Sequence, residues 1–219
     1  MSALEALQRE IVDCRRCPRL VAWREHVAAE KRAAFRDWEY WGRPVPGFGD
    51  PAARVVLLGL APAAHGGNRT GRIFTGDRSG DFLFAALHAT GYANQPTAVS
   101  RDDGLELSDC YITAAVRCAP PANKPLPAER DTCRAWLDRE LPLLENARVI
   151  VCLGKFAWDI VAPRPLPKFG HGAEAQSGRH RLLGCFHPSQ QNTFTGKLTP
   201  PMIEAVLRRA RELADEAAA

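Results

Sequence analysis

Two groups of residues in this chain have types and spacings that could do chemistry. The first is a set of thiols, Cys14-Arg-Arg-Cys17 followed at a distance by Cys118 and Cys133. A close pair plus two distant singles can hold a metal centre only if the fold brings the N-terminus and the middle of the chain together. Structural zinc sites usually take two close pairs, so that each half forms locally. A second half this spread out suits an iron–sulfur cluster with four cysteine ligands at least as well. The competing reading is ordinary buried thiols. Asp13, Arg15, Arg16 and Pro18 surround the first pair, however, and a core thiol is out of place in so polar a stretch.

The second group sits in two loops. One runs Gly59-Leu-Ala-Pro-Ala63 and on through Gly71-Arg-Ile-Phe-Thr-Gly-Asp-Arg-Ser-Gly80. It lacks the glycine spacing of a nucleotide-binding loop. It offers a backbone turn shaped by Gly59 and Pro62, one aromatic ring at Phe74 and one carboxylate at Asp77. On composition alone Phe74 also fits a core and Asp77 a helix cap. The other loop is His187-Pro-Ser-Gln-Gln-Asn-Thr-Phe-Thr-Gly-Lys197. Its proline fixes the backbone after the histidine, and its amides and hydroxyls suit hydrogen bonding as well as plain solvation.

These loops need a scaffold. Continuous apolar runs at Arg54–Leu58, Tyr111–Val116, Arg148–Leu153 and Arg181–Phe186 predict four strands covered on both faces. Helical patterns fall over 3–11, 21–41, 79–90 with Ser79 as cap, 128–145 with Cys133, Trp136 and Leu137 on one stripe, 155–161, and a last helix begun by Thr199-Pro200. Residues 163–178 read as a loop. Alternating strands and helices predict an α/β protein, a three-layer α/β/α sandwich around a mainly parallel four-stranded sheet. In such sheets chemistry gathers beyond the carboxyl ends of the strands, where both loops fall.

The bulk numbers are compatible with this. The 219 residues, 46% hydrophobic and 25% charged, suit a single globular domain over 1–219, with no linker that would split it. Apolar runs are too short to span a bilayer, and the N-terminus has no secretory pattern, so a cytoplasmic protein is expected. In that compartment the seven cysteines argue for metal rather than disulfides. Cys110, Cys152 and Cys185 lie in or at the ends of apolar strands and read as core thiols. A net charge of +4, carried by 24 Arg and 5 Lys against 25 acidic residues, is compatible with a nucleic-acid partner without diagnosing one.

Taken in order, the motifs resemble those of the uracil-DNA glycosylase superfamily, and specifically its fifth family, the type-B enzymes. Gly59-Leu-Ala-Pro-Ala63 is similar to the first motif, Gly71–Gly80 to the segment after it, and His187-Pro-Ser189 to the second motif. Cys14, Cys17, Cys118 and Cys133 match the cluster cysteines shared with the fourth family. The resemblance implies a monofunctional DNA glycosylase that flips uracil out of DNA and hydrolyses its N-glycosidic bond, with a [4Fe-4S] cluster as cofactor. It implies Asp77 and His187 as catalytic residues and Gly59, Ala61, Pro62, Ala63, Phe74 and Ala114 as the base pocket. Asn123, Lys124, Ser189, Gln190, Gln191, Asn192 and Thr193 would meet DNA, with Arg72, Arg78, Lys155, Lys168, His171 and Lys197 as further phosphate contacts. The resemblance implies DNA as the partner, double-stranded with single strands as an alternative, and a protein expected to act as a monomer with no membrane.

Two departures matter. Relatives carry Asp or Glu in the first motif to position water; Leu60 and Ala63 stand in that stretch here, which shifts the task to Asp77 or to backbone groups. Relatives also read uracil with an Asn on the second strand, where this chain has Ala114. The loss predicts relaxed base choice, extending to hypoxanthine or xanthine. The alternative from another class is a non-catalytic iron–sulfur or zinc protein that binds nucleic acid.

Overall fold

The computed structural model describes residues 1–217. The elements in chain order are α1 (Ala3–Val12), α2 (Pro18–Glu30), β1 (Phe48–Gly49), β2 (Val55–Gly59), α3 (Gly67–Thr70), α4 (Arg78–Ala89), β3 (Cys110–Ala114), α5 (Pro127–Leu143), β4 (Val149–Leu153), α6 (Lys155–Val161), β5 (Glu174–Ser177), β6 (His180–Cys185), α7 (Gln190–Phe194) and α8 (Pro200–Glu216). One sheet of six strands runs β1-β3-β2-β4-β6-β5. Its inner four are parallel, and they are the four the apolar runs predict. The two additional strands are antiparallel edges. Both are short, and β5 alternates exposed and half-buried residues, so neither carries the fully apolar signal that marks the inner strands.

Every residue of β2, β3 and β4 is buried, because helices cover both faces. Val55, Leu57, Ile112, Val151 and Leu183 pack on one side against Leu83, Phe84 and Leu87 of α4 and Ile203, Val206, Leu207 and Ala210 of α8. Val56, Leu58, Ile150 and Cys152 pack on the other against Leu137 of α5 and Trp158 of α6. The result is the α/β/α sandwich. A smaller third cluster joins Leu7 and Ile11 of α1, Leu20 of α2, Cys118, Cys133 and Trp136. It welds the N-terminal helices to α5.

Three local readings change. The helix expected over 21–41 ends at Glu30, and after a single 3-10 turn at Ala33–Phe35 the chain runs irregularly. Lys31, with φ of 56°, breaks the helix, and Phe35, Trp38 and Tyr40 then pack onto the loop after β2 instead of forming a helical stripe. The cap of α4 is Asp77 rather than Ser79, its carboxylate accepting from the Gly80 amide at 3.0 Å. The stretch 163–178 contains β5. No helix among the described residues is long and apolar enough to cross a membrane.

A candidate base pocket and a candidate metal centre

The rim at the carboxyl ends of β2, β3 and β6 is built around close glycine contacts. Gly59 closes β2 and pairs in register with Ala114, the last residue of β3. A Cβ on Gly59 would come within 2.9 Å of the Phe74 ring, so any larger residue there would displace that ring. Phe74 holds φ at 53°, a left-handed conformation that costs a bulky residue on the order of 1 kcal/mol and persists where surrounding packing enforces it. The enforcement is visible at Gly80, where a Cβ would meet the Phe74 carbonyl oxygen at 1.7 Å. Ala114 shares the Phe74 side of the sheet. Its methyl side chain carries no polar group to that side.

His187 comes from the loop after β6, and its ring centroid lies 5.9 Å from that of Phe74 at a tilt of 40°. Its backbone is seated by Asn192, whose Nδ2 donates to the His187 carbonyl at 2.8 Å. Gly154, with φ of 96°, gives it space, since a Cβ there would stand 3.2 Å from the His187 Cβ. Burial lowers the imidazole to a pKa of about 4, so the ring is neutral at physiological pH.

Asp77 is joined to the same rim through Gly80, whose amide it accepts and whose Cα abuts Phe74. Its other oxygen lies over Gly66, 2.0 Å from where a Cβ would stand. That glycine is a requirement the motif reading passed over; the Gly66-Gly67 pair was its signal. Burial raises the Asp77 carboxyl above its ordinary range, opposed by the Gly80 and Ser79 amides. Ala61 and Ala63 are half-buried and Pro62 buried beside this wall.

The residues expected to meet DNA divide. Gln190 and Gln191 are exposed at the start of α7, and Asn123 and Lys124 on the turn after β3. Ser189 instead caps α7 by accepting from the Asn192 amide. The Asn192 amide group is spent on His187, and the Thr193 hydroxyl turns back to the Ser189 carbonyl at 3.2 Å. Phe194, which the motif reading did not single out, is 73% exposed in the same loop. A large apolar ring amid amides and hydroxyls was the available clue. Arg72 does not face DNA: it is buried and paired with Asp103 at 2.8 Å. The His171 Nδ1 accepts from the Phe186 amide at 3.2 Å. Arg78, Lys155, Lys168 and Lys197 are exposed.

Cys14, Cys17, Cys118 and Cys133 line one narrow cavity, together with Arg16, Arg117 and Trp136. The fold therefore meets the spatial demand that the cysteine spacing makes. Buried Arg24 reaches Cys118 Sγ with Nη1 at 3.3 Å, and the Arg117 amide donates to Cys133 Sγ at 3.2 Å. The Nε atoms of Arg24 and Arg117 are buried without hydrogen-bond partners among the described residues. Yet no three His, Cys, Asp or Glu side chains among them come close enough to hold a single metal ion. Cys110, Cys152 and Cys185 are buried core thiols, and none of the seven is in a disulfide.

Comparison with known proteins agrees with this geometry. Residues 46–211 match the model of the uracil DNA glycosylase superfamily. A type-5 uracil-DNA glycosylase of Mycobacterium tuberculosis is 57% identical over 92% of this chain and 78% of its own length. That of Mycobacterium leprae is 54% identical over 97% and 96%, and that of Thermus thermophilus 53% over 96% and 98%. With the aromatic ring, the imidazole and the glycine-lined strand ends gathered at one rim, and with matches of this extent, the chain belongs to the uracil-DNA glycosylase superfamily.

Proposed function

We propose that this chain is a monofunctional DNA glycosylase of base excision repair that hydrolyses the N-glycosidic bond of uracil, and of hypoxanthine and xanthine, leaving an abasic site. The observation that carries the reading is the pairing of Phe74 and His187 across 5.9 Å at the strand ends, beside Gly59 and Ala114. A base flipped from the helix would stack on the Phe74 ring. As the bond from C1′ breaks, the sugar becomes oxocarbenium-like and the base anionic. A neutral His187 donates a hydrogen bond to the developing charge on uracil O2, an electrostatic contribution worth a few kcal/mol when the donor is prepositioned. Asp77 holds the attacking water, with the backbone of Gly59 to Ala63 forming the remaining wall. Ala114 places no amide against the base edge, so the pocket accepts deaminated purines. Incubation with duplexes containing uracil, hypoxanthine or xanthine, scored for abasic sites, tests this. Action on uracil that leaves both purines untouched would remove the Ala114 argument.

No lysine stands in the site to form a Schiff base; Lys155, the nearest challenger, is exposed and pairs with Asp159. Gln190, Gln191 and the exposed Phe194 would enter the gap left by the flipped base, and Asn123, Lys124, Arg78 and Lys197 would contact the backbone.

Cys14, Cys17, Cys118 and Cys133 would hold a [4Fe-4S] cluster. Four thiols around one cavity, drawn from the N-terminus and from two separate places in the middle of the chain, suit a cluster with four cysteine ligands. Buried Arg24, whose Nη1 reaches Cys118 Sγ, would offset part of the negative charge of four thiolates, whereas the Arg117 charge is already paired with Glu140. When bound, the cluster would supply a structural staple from the N-terminus to α5. An iron assay together with the visible spectrum of Cys118→Ser against the parent protein checks it: a colourless parent carrying zinc would refute the assignment. The alternative of a non-catalytic nucleic-acid binder finds less support, since it gives no use to a neutral histidine seated against an aromatic ring.

A further inference from the structure

Arg69 is a buried cation that pairs with carbonyls rather than with a carboxylate. It is 3% exposed. Its Nε donates to the His65 carbonyl at 2.8 Å and its Nη2 to the Gly76 carbonyl at 2.9 Å, while Nη1 is buried with no partner among the described residues. The guanidinium carbon lies 4.0 Å from the Phe35 ring centroid and 4.1 Å from that of Trp38. Those rings belong to the irregular segment before β1, outside the 46–211 span of the superfamily match.

The two carbonyls are informative. His65 immediately precedes Gly66, and Gly76 immediately precedes Asp77. Gly66 and Asp77 are the pair that touch, the carboxylate resting where a Gly66 Cβ would be. One planar fork thus spans the two backbone points that set the Gly66–Asp77 contact. Because the guanidinium is rigid, it fixes their separation as a flexible ammonium could not. Gly76 is matched to the fork, as a Cβ there would stand 2.4 Å from Nη2. The aromatic flanks hold the cation where water and counter-ions cannot reach it.

We infer that Arg69, clasped between Phe35 and Trp38, is the positioning residue for Asp77: it sets the carboxylate against Gly66, where it would hold its water. The inference rests on the proposed role of Asp77. Burial is the largest influence on the Asp77 carboxyl; of the charged groups, Asp81 from its own helix raises it and Arg69 from α3, with the smaller effect, lowers it. Removing Arg69 leaves burial and Asp81 unopposed by any cation.

The test is single-turnover release of uracil from duplex DNA between pH 5.5 and 9, with Arg69→Met, Arg69→Lys and Asp77→Asn. Arg69→Met is expected to lose about 100-fold at pH 6 and only about tenfold at pH 8.5, its acid limb displaced upward. Arg69→Lys keeps the charge but not the fork; its loss is about tenfold at every pH, with the acid limb in place. A loss in Arg69→Met that is equal at every pH, or no loss, overturns the inference while Asp77→Asn remains inactive. Near-normal activity in Asp77→Asn instead removes the reading beneath it. If Arg69→Met does not fold, Trp38→Leu, which keeps the fork and strips one flank, should displace the acid limb in the same direction by less; an unmoved limb overturns the inference.

Discussion

The loop after β2 and the loop after β6 leave the same rim of the sheet and are built in opposite ways. In the first, Asn68, Arg69, Thr70, Arg72 and Thr75 are all buried. Apart from Asn68 Oδ1 and Arg69 Nη1, which have no partner among the described residues, their polar atoms close on the loop or its neighbours: the Thr70 hydroxyl donates to the Gly66 carbonyl, Arg72 Nε to the Thr75 hydroxyl, and Arg72 Nη2 to Asp103. In the second, Gln190, Gln191, Phe194 and Lys197 project outward, and the backbone is tied down chiefly by Ser189 and Asn192. The difference separates two tasks. A wall that must present fixed groups to a reacting base gains from polar atoms satisfied internally, because it then needs no reorganisation when charge develops. A surface that must follow a DNA strand needs side chains left uncommitted. His187 is the exception within the second loop, since it is seated as firmly as anything in the first.

The largest expected effect tests that exception. His187→Ala should lower single-turnover uracil release by about 100- to 1,000-fold, the usual range for losing one prepositioned donor. Affinity for uracil-containing duplex should change by less than about threefold, because phosphate contacts supply most of it. If affinity fell in parallel with rate, the imidazole would be a DNA contact, and the division between the loops would fail.

A second expectation concerns stability. Burial holds folded His187 near a pKa of about 4, against an ordinary 6.5. The unfolded chain therefore binds this proton first. The contribution is fully present above pH 6.5 and is lost as pH falls from 6.5 towards 4. Discounted for partial exposure, it amounts to about 2 kcal/mol. Urea melts at pH 7 and pH 4.5 should show the parent losing more stability than His187→Gln. Equal losses would mean that His187 is solvated like its neighbours in the loop.

The legibility of the molecule follows the same line. The inner strands could be read because each is an apolar run buried on both faces, and β1 and β5 could not because edge strands carry no such run. Phe74 and His187 stood out through motif resemblance, and Asp77 through being a lone carboxylate. Their supports did not. Whether Asn192 faces DNA or the His187 carbonyl depends on how α7 turns back, which no local spacing encodes. Arg72 looked like a surface cation because nothing near it in sequence announces Asp103, its partner from another loop. The aromatic run 35–41 was periodic enough to suggest a helix. Its rings are instead spent on Arg69 and His65, a tertiary use that overrides propensity.

The smallest effect lies at the free end of the second loop. Phe194 is 73% exposed, and burying its ring in a widened base step would offset part of the cost of unstacking. Phe194→Ala should therefore weaken binding to an abasic-site duplex by about tenfold, the free energy of one ring moved from water into the stack. The rate of bond cleavage on uracil in single-stranded DNA, where no stack has to be held open, should change by less than about twofold. Such a split would put Phe194 on the DNA side of the division between the loops. Equal losses on both substrates would place it with the base pocket instead, and the second loop would then be no freer than the first.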